Sequence, residues 1–226
     1  MNIIVTGASK GIGKALCEYF GDKDYNIIAI SRNEELLNEL SKNYPNITSF
    51  PIDVCSDNLK KELSEIPFEK IDILINNAGA LVNKPFMDTS SEDWAQMLNI
   101  NLMGTVNMCK ALMPKLKMAD KSHVVNIGSM GGHRESKKFV GLAAYSTAKG
   151  AIATLTECLA EEFHEDGVSF NCLELGAVQT EMLETAFPGY RSPISAEKIA
   201  KYIGNFAETA HEYMNGKCVP VSLINP

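Results

Sequence analysis

Short apolar runs alternate along the chain with longer segments whose apolar positions recur at helical spacing. The short runs are nearly continuous in hydrophobicity and rich in β-branched residues, as is typical of strands buried on both faces. They predict strands at residues 2–6, 26–31, 47–53, 71–76, 123–128, 168–173 and 217–221.

The segments between these strands predict helices. One of them opens with Ser-Ser-Glu-Asp at residue 90, a sequence typical of a capped helix start. Regular strand–helix alternation predicts an α/β fold, a doubly wound, Rossmann-like parallel sheet of about seven strands with helices on both faces. No repeat or composition shift divides the chain, so residues 1–226 are expected to form a single domain. The predicted helices are 13–20, 34–40, 57–63, 90–117, 143–164 and 195–214.

Composition excludes several classes of function. The formal net charge of -7 argues against non-specific nucleic-acid binding, because the phosphate backbone attracts clustered lysines and arginines. The six cysteines form no close pair, so neither a metal site nor a redox motif is predicted. No signal-peptide pattern is seen, and no apolar stretch approaches about 18 residues, so no membrane span is predicted and a cytoplasmic location is expected.

A glycine-rich turn joins the first predicted strand to the first predicted helix. Glycines let backbone N–H groups approach a pyrophosphate closely, and the helix N-terminus adds partial positive charge. The turn predicts a dinucleotide-phosphate site, although a tight turn without a ligand is the alternative. The expected contacts are Gly7, Ser9, Lys10, Gly11, Ile12 and Gly13.

The end of the second predicted strand favours NADP(H) over NAD(H). Sites for NAD place an Asp or Glu here to bind the ribose 2′-hydroxyl, whereas this chain has Ser31 followed by Arg32. Arg32, together with Lys10 in the turn, would suit a 2′-phosphate. Two solvated surface charges are the alternative interpretation.

Tyr145 and Lys149 are four residues apart on a predicted helix and therefore share a face. A nearby ammonium lowers the pKa of a phenol from about 10, which would make Tyr145 a usable general acid/base. Taken alone the pair is weak evidence, because such pairs occur by chance on many helices.

The motifs together resemble the short-chain dehydrogenase/reductase family over residues 2–221. The glycine turn, the Asn-Asn-Ala-Gly sequence from residue 76, Asn101 with Gly104, and the Tyr145–Lys149 pair occur in the family's order. By this resemblance, the catalytic residues are Asn101, Ser129, Tyr145 and Lys149. Further cofactor contacts are implied for Asp53, Val54, Asn77, Ala78, Gly79, Val178 and Thr180, as well as Tyr145 and Lys149.

The resemblance implies an NADP(H)-dependent oxidoreductase that transfers a hydride between nicotinamide and a small-molecule carbonyl or secondary alcohol, without a metal. Tyr145 is expected to exchange a proton with the substrate oxygen, and Ser129 to hydrogen-bond the same oxygen. Lys149 is expected to bind the nicotinamide ribose and lower the pKa of Tyr145, and Asn101 to hold a water that links Lys149 to solvent. A homo-oligomer, either a dimer or a tetramer, is compatible with the family.

Two other functions stay open. A non-catalytic dinucleotide-binding sensor or scaffold would keep the fold, but it would have no reason to keep all four catalytic residues. A sugar-nucleotide epimerase or dehydratase shares the Tyr-x3-Lys pair, but such enzymes usually have a longer C-terminal region.

The chain departs from the family in four places. Leu175 stands where the family has proline, and residues 133–138 form a charged insertion that is interpreted as a solvated loop in preference to an anion site. Residues 181–193 form a short lid, which predicts an open and permissive pocket. Residues 219–226 lack the family's terminal Asp-Gly-Gly, which puts the standard tetramer in doubt.

Overall fold

A single parallel sheet runs through residues 1–223, the part of the chain that the computed structural model describes. Its strands are β1 (Asn2–Thr6), β2 (Asn26–Ile30), β3 (Ile47–Phe50), β4 (Ile73–Asn76), β5 (Ser122–Ser129), β6 (Val168–Leu175) and β7 (Lys217–Val221). They lie in the order β3-β2-β1-β4-β5-β6-β7, and every neighbouring pair is parallel. The predicted doubly wound fold is confirmed.

Helices cover both faces of this sheet. Successive side chains of β1 point to opposite faces of the sheet and are apolar on both. Ile3 and Val5 belong to one buried apolar cluster, and Ile4 belongs to a second on the other face, so both faces need a covering layer of helices. No helix within residues 1–223 combines the length and apolarity needed to cross a membrane. The helices are α1 (Gly11–Gly21), α2 (Glu34–Asn43), α3 (Leu59–Ser64), α4 (Ser91–Leu98), α5 (Gly104–Leu116), α6 (Ala143–Glu162), α7 (Glu181–Ala186) and α8 (Ala196–Thr209).

The prediction of one continuous helix over residues 90–117 is wrong, because a π-helical turn at Asn99–Met103 separates α4 from α5. The side chain of Asn101, buried in this turn, accounts for the break. Its Nδ2 donates to the Ala80 carbonyl at 2.9 Å, and its Oδ1 accepts from the Ala80 N–H at 3.2 Å. The wider turn aims the amide at the loop after β4, and π-turns of this kind are frequent at functional sites.

The presence or absence of a proline explains why two strands end at other residues than the sequence predicts. β3 ends at Phe50 rather than at residue 53, because the next residue, Pro51, has no N–H for the ladder. β6 extends to Leu175, the position where the family has proline. Pro220 is tolerated within β7 because β7 is an edge strand. The last three residues of the atypical C-terminus, 224–226, lie outside the described residues.

Candidate active site

The carboxyl ends of the strands open onto a cavity of about 900 Å³. The strand order reverses beside β1, and in doubly wound sheets ligands bind at that point. The site residues expected from the sequence line this cavity, with the exception of Gly13. Those that line it are Gly7, Ser9, Lys10, Gly11, Ile12, Ser31, Arg32, Asp53, Val54, Asn77, Ala78, Gly79, Asn101, Ser129, Tyr145, Lys149, Val178 and Thr180.

The glycine turn has the shape of a phosphate cradle. Gly7 and Gly11 adopt φ values of 67° and 53°, which favour glycine. A Cβ on Gly13 would lie 2.2 Å from the Gly7 carbonyl oxygen, so glycine is needed there for the turn to close tightly, and the expected contact of Gly13 with the cofactor stays a prediction. Lys10 provides no side-chain cap for α1, which leaves first-turn N–H groups for another acceptor. A pyrophosphate fits this donor set.

Asn77 holds the glycine turn against the end of β4 through hydrogen bonds. Its Nδ2 donates to the carbonyls of Thr6 at 2.9 Å and of Gly7 at 3.4 Å. The backbone N–H groups of Asn77 and Ala78 both donate to the Thr6 hydroxyl, at 3.0 and 2.9 Å. The Asn-Asn-Ala-Gly motif therefore holds the turn in its binding shape.

At the end of β2, where sites for NAD have a carboxylate, an arginine lines the cavity. The Arg32 side chain is 73% exposed, and its Nη1 lies 3.9 Å from Asp53 Oδ2. Lys10, the other predicted cation, lies with its Nζ 3.7 Å from Glu181 Oε2. Long exposed ion pairs of this kind are weak, so both cations can exchange partners.

Tyr145 and Lys149 lie on α6 with Ser129 opposite them at the end of β5. Burial raises the pKa of Tyr145 above its usual 10, and a hydrogen bond with Ser129 opposes that rise. Lys149 Nζ donates to the Ile127 carbonyl at 2.7 Å and lies 6.0 Å from the centre of the Tyr145 ring. In this arrangement the ammonium is hydrogen-bonded to the backbone of β5, and the expectation that Lys149 lowers the pKa of Tyr145 stays a prediction.

Burial also shifts the pKa of Lys149 itself, from 10.5 to about 8. Gly79 lies between this ammonium and the Asn101 amide. A Cβ added at Gly79 would lie 3.6 Å from Lys149 Nζ and 2.8 Å from Asn101 Oδ1. Asn101 Nδ2 also donates to the Met97 carbonyl at 3.0 Å. The Asn101 amide thus shapes the loop beside Lys149 and bends its own helix.

Contacts between loops complete the substrate side of the cavity, and no sequence pattern indicated them. The rings of Phe139 and Phe187 lie 6.4 Å apart, centre to centre. Asn83 Nδ2 donates to the Ala186 carbonyl at 2.8 Å, and the Lys84 N–H donates to the Gly141 carbonyl at 3.0 Å. These contacts join three loops that are distant in sequence.

Thr180, which lines the cavity, also caps a helix. Its Oγ1 accepts from the Leu183 N–H at 3.3 Å, which starts α7 at the lid. Val178, two residues earlier, is buried in the apolar cluster that packs under α8.

The charged insertion is only partly solvated. Arg134, Glu135 and Lys137 are exposed, as expected. His133, however, folds back so that its Nδ1 lies 2.7 Å from Oε2 of Glu174, whose side chain is 3% exposed. A carboxylate within the buried strand β6 was the available signal for this pair. None of residues 132–138 lines the cavity, and no cluster of three or more potential metal ligands occurs within residues 1–223.

Comparison with known proteins places these features in context. The family model described as short chain dehydrogenase matches residues 1–191. An uncharacterized oxidoreductase of Staphylococcus epidermidis is 32% identical over 203 residues, covering 87% of this chain and 86% of the relative.

Two solved structures are similar over almost their whole length. One is described as a ribose-5-phosphate isomerase from Brucella melitensis, with 28% identity, a TM-score of 0.89, and coverage of 97% of this chain and 90% of that one. The other is the closed form of a serine dehydrogenase complexed with NADP+, with 26% identity, a TM-score of 0.87, and coverage of 98% and 94%.

Proposed function

The chain belongs to the short-chain dehydrogenase family, and from that membership we propose that it is an NADP(H)-dependent oxidoreductase acting on a carbonyl compound or a secondary alcohol. One observation carries the proposal: Ser129, Tyr145 and Lys149 converge in the same cavity as the glycine cradle. When bound, NADP(H) would supply or accept the hydride at its nicotinamide ring. The sensor or scaffold alternative leaves this convergence without a purpose.

The side chains have protonation states that suit carbonyl reduction. Because burial raises the pKa of Tyr145, the phenol keeps its proton at neutral pH and can donate it to the substrate oxygen. Ser129 would hydrogen-bond the same oxygen and share its developing charge. Lys149, whose pKa is lowered to about 8, is mostly protonated at neutral pH and can resupply the proton. Asn101 acts as a positioning residue for the loop next to Lys149.

Arg32 supports the choice of NADP(H). Its guanidinium is exposed at the adenosine end, where its present partner Asp53 is 3.9 Å away. A bidentate bond to a 2′-phosphate would be stronger than this long ion pair. The similar serine dehydrogenase structure was solved with NADP+ and is consistent with this choice.

The catalytic proposal is tested with Tyr145→Phe. NADPH oxidation is followed with a panel of uncharged ketones and aldehydes, and kcat is expected to fall by about 100-fold or more. Cofactor affinity should change by less than about threefold, because the phenol oxygen alone is removed. Tyr213→Phe is the matched control, since that ring is 80% exposed and does not line the cavity. Full activity of Tyr145→Phe would refute the role of Tyr145, and NADPH binding without turnover in the unmodified protein would favour the scaffold.

The cofactor proposal is tested with Arg32→Ala. The Kd for NADPH is expected to rise by about 10- to 100-fold, the strength of a charge-assisted pair. The Kd for NADH should stay the same, because NADH has no 2′-phosphate. Lys42→Ala removes a cation from the exposed end of α2 and serves as the control. Tighter binding of NADH than of NADPH by the unmodified protein would overturn the assignment.

A further inference from the structure

The charged side chains that line the cavity either have a partner or, in the case of Lys10 and Arg32, are the cations assigned above to the 2′-phosphate of NADP(H). Among residues 1–223 there are five of them. Arg32 pairs with Asp53 at the adenosine end, and Lys10 of the glycine cradle pairs with Glu181. Lys149 is buried and donates to a backbone carbonyl of β5. The end of the cavity that faces Tyr145 therefore offers an incoming anion no further lining cation.

Three cations of the surrounding loops are paired elsewhere, and two more, Arg134 and Lys137, are exposed but do not line the cavity. Lys84 Nζ lies 2.7 Å from Asp93 Oδ2, and Arg191 Nη1 lies 2.8 Å from Glu184 Oε1. Lys138 Nζ donates to the backbone carbonyl of His133 in the same loop. None of these three cations is a lining residue.

Apolar side chains line the substrate end instead. Phe139, Met182 and Tyr190 are 45%, 43% and 48% exposed, which is unusual for such large groups. All three line the cavity, together with Leu183 and Phe187. Because apolar surface left in water is unfavourable, these side chains would be stabilised by covering an apolar ligand.

We propose that this end of the cavity selects an uncharged carbonyl compound with an apolar body and rejects carboxylates, phosphates and zwitterionic amino acids. The inference rests on the proposed function and specifies its substrate class. A carboxylate that loses water without gaining a cation is strongly disfavoured. Each methylene group that the substrate buries, in contrast, strengthens binding by about fourfold.

A matched pair of substrates tests the proposal. Methyl 3-oxohexanoate and the 3-oxohexanoate anion carry the same ketone and acyl chain and differ in charge and in one methyl group, which by itself accounts for only about fourfold in binding. With NADPH at pH 7, kcat/KM for the ester is expected to exceed that for the anion by about 100-fold or more. A ratio near one, or a preference for the anion, would overturn the inference. Efficient oxidation of serine with NADP+ would overturn it as well.

A variant with an added cation tests the cause of the preference. Phe139→Arg places a positive charge on the rim, at an exposed position where the substitution is compatible with folding. It is expected to raise kcat/KM for the anion about tenfold and so to narrow the ratio. Val140→Arg is the control, because Val140 is 91% exposed and does not line the cavity. An unchanged ratio in Phe139→Arg, with NADPH affinity intact, would show that the missing cation is not the cause.

Failure of the proposed reductase function can be told apart from failure of this inference. If neither compound is turned over, each is titrated into the NADPH complex while nicotinamide fluorescence is followed. Binding of the ester about 100-fold tighter than binding of the anion supports the substrate class even without turnover. Equal binding, or no binding of the ester, overturns it.

Discussion

Replacement of Lys149 by methionine is expected to abolish activity and to make the cofactor-free protein more stable. The pKa of Lys149 falls from 10.5 to about 8 on burial, which corresponds to about 3 kcal/mol of unfavourable free energy in the charged form. Methionine has a similar length and carries no charge. It loses the 2.7 Å hydrogen bond to Ile127, which contributes about 1 kcal/mol. The net expectation at pH 7 is a gain of about 2 kcal/mol, or about 4–8 °C in Tm.

The sign of the pH dependence follows from the direction of the shift. Below pH 8, Lys149 is protonated in both the folded and the unfolded states, and the full cost of burial applies. Between pH 8 and 10.5 the unfolded chain binds more protons than the folded one, so the free energy of unfolding of the unmodified protein rises. The advantage of the methionine variant should therefore shrink over this range and be close to zero by about pH 10.

Urea denaturation of both proteins at a series of pH values measures this difference, and other titrating groups cancel because they are common to both. Lys110→Met, at an exposed position on α5, is the control and should show no such trend. A methionine variant that is less stable than the parent at pH 7 would refute the reasoning. A stability difference that does not change with pH would refute it too.

Two further substitutions test the supports of the site. Gly13→Ala should lower the free energy of unfolding, measured by urea titration, by about 2 kcal/mol or more, because its Cβ would lie 2.2 Å from the Gly7 carbonyl oxygen. The control is Gly150→Ala, whose Cβ would meet only an oxygen at 3.4 Å. This variant should be as stable as the parent or more stable. His133→Ala should lower the Tm because it removes the hydrogen-bond partner of the buried Glu174 carboxyl group, at a cost of about 1–3 kcal/mol. His164→Ala, at an exposed position, should leave the Tm unchanged; equal effects of the two histidine substitutions would argue against this buried hydrogen bond.

Local patterns predicted most of the fold, and every expected site residue except Gly13 lines the cavity. The first and last strands begin and end where their apolar runs predict. Parallel strands present their carboxyl ends at one edge of the sheet, so the glycine turn, Arg32 and Ser129 are expected to lie close together. All of them line the same cavity. These predictions succeed because strand periodicity, turn chemistry and crossover handedness depend on neighbouring residues and on general topology.

The tertiary structure alone decided the features that join distant loops. His133 and Glu174 are 41 positions apart, and Phe139 meets Phe187 across two separate loops. The π-turn around Asn101 likewise depends on a carbonyl in another segment, and the pKa of Lys149 depends on how deeply α6 packs against the sheet. Burial and long-range pairing are properties of the assembled core, which no local period encodes. The sequence therefore determined which residues meet at the cavity, whereas packing decided how deeply Lys149 is buried and which apolar side chains line the cavity beside it.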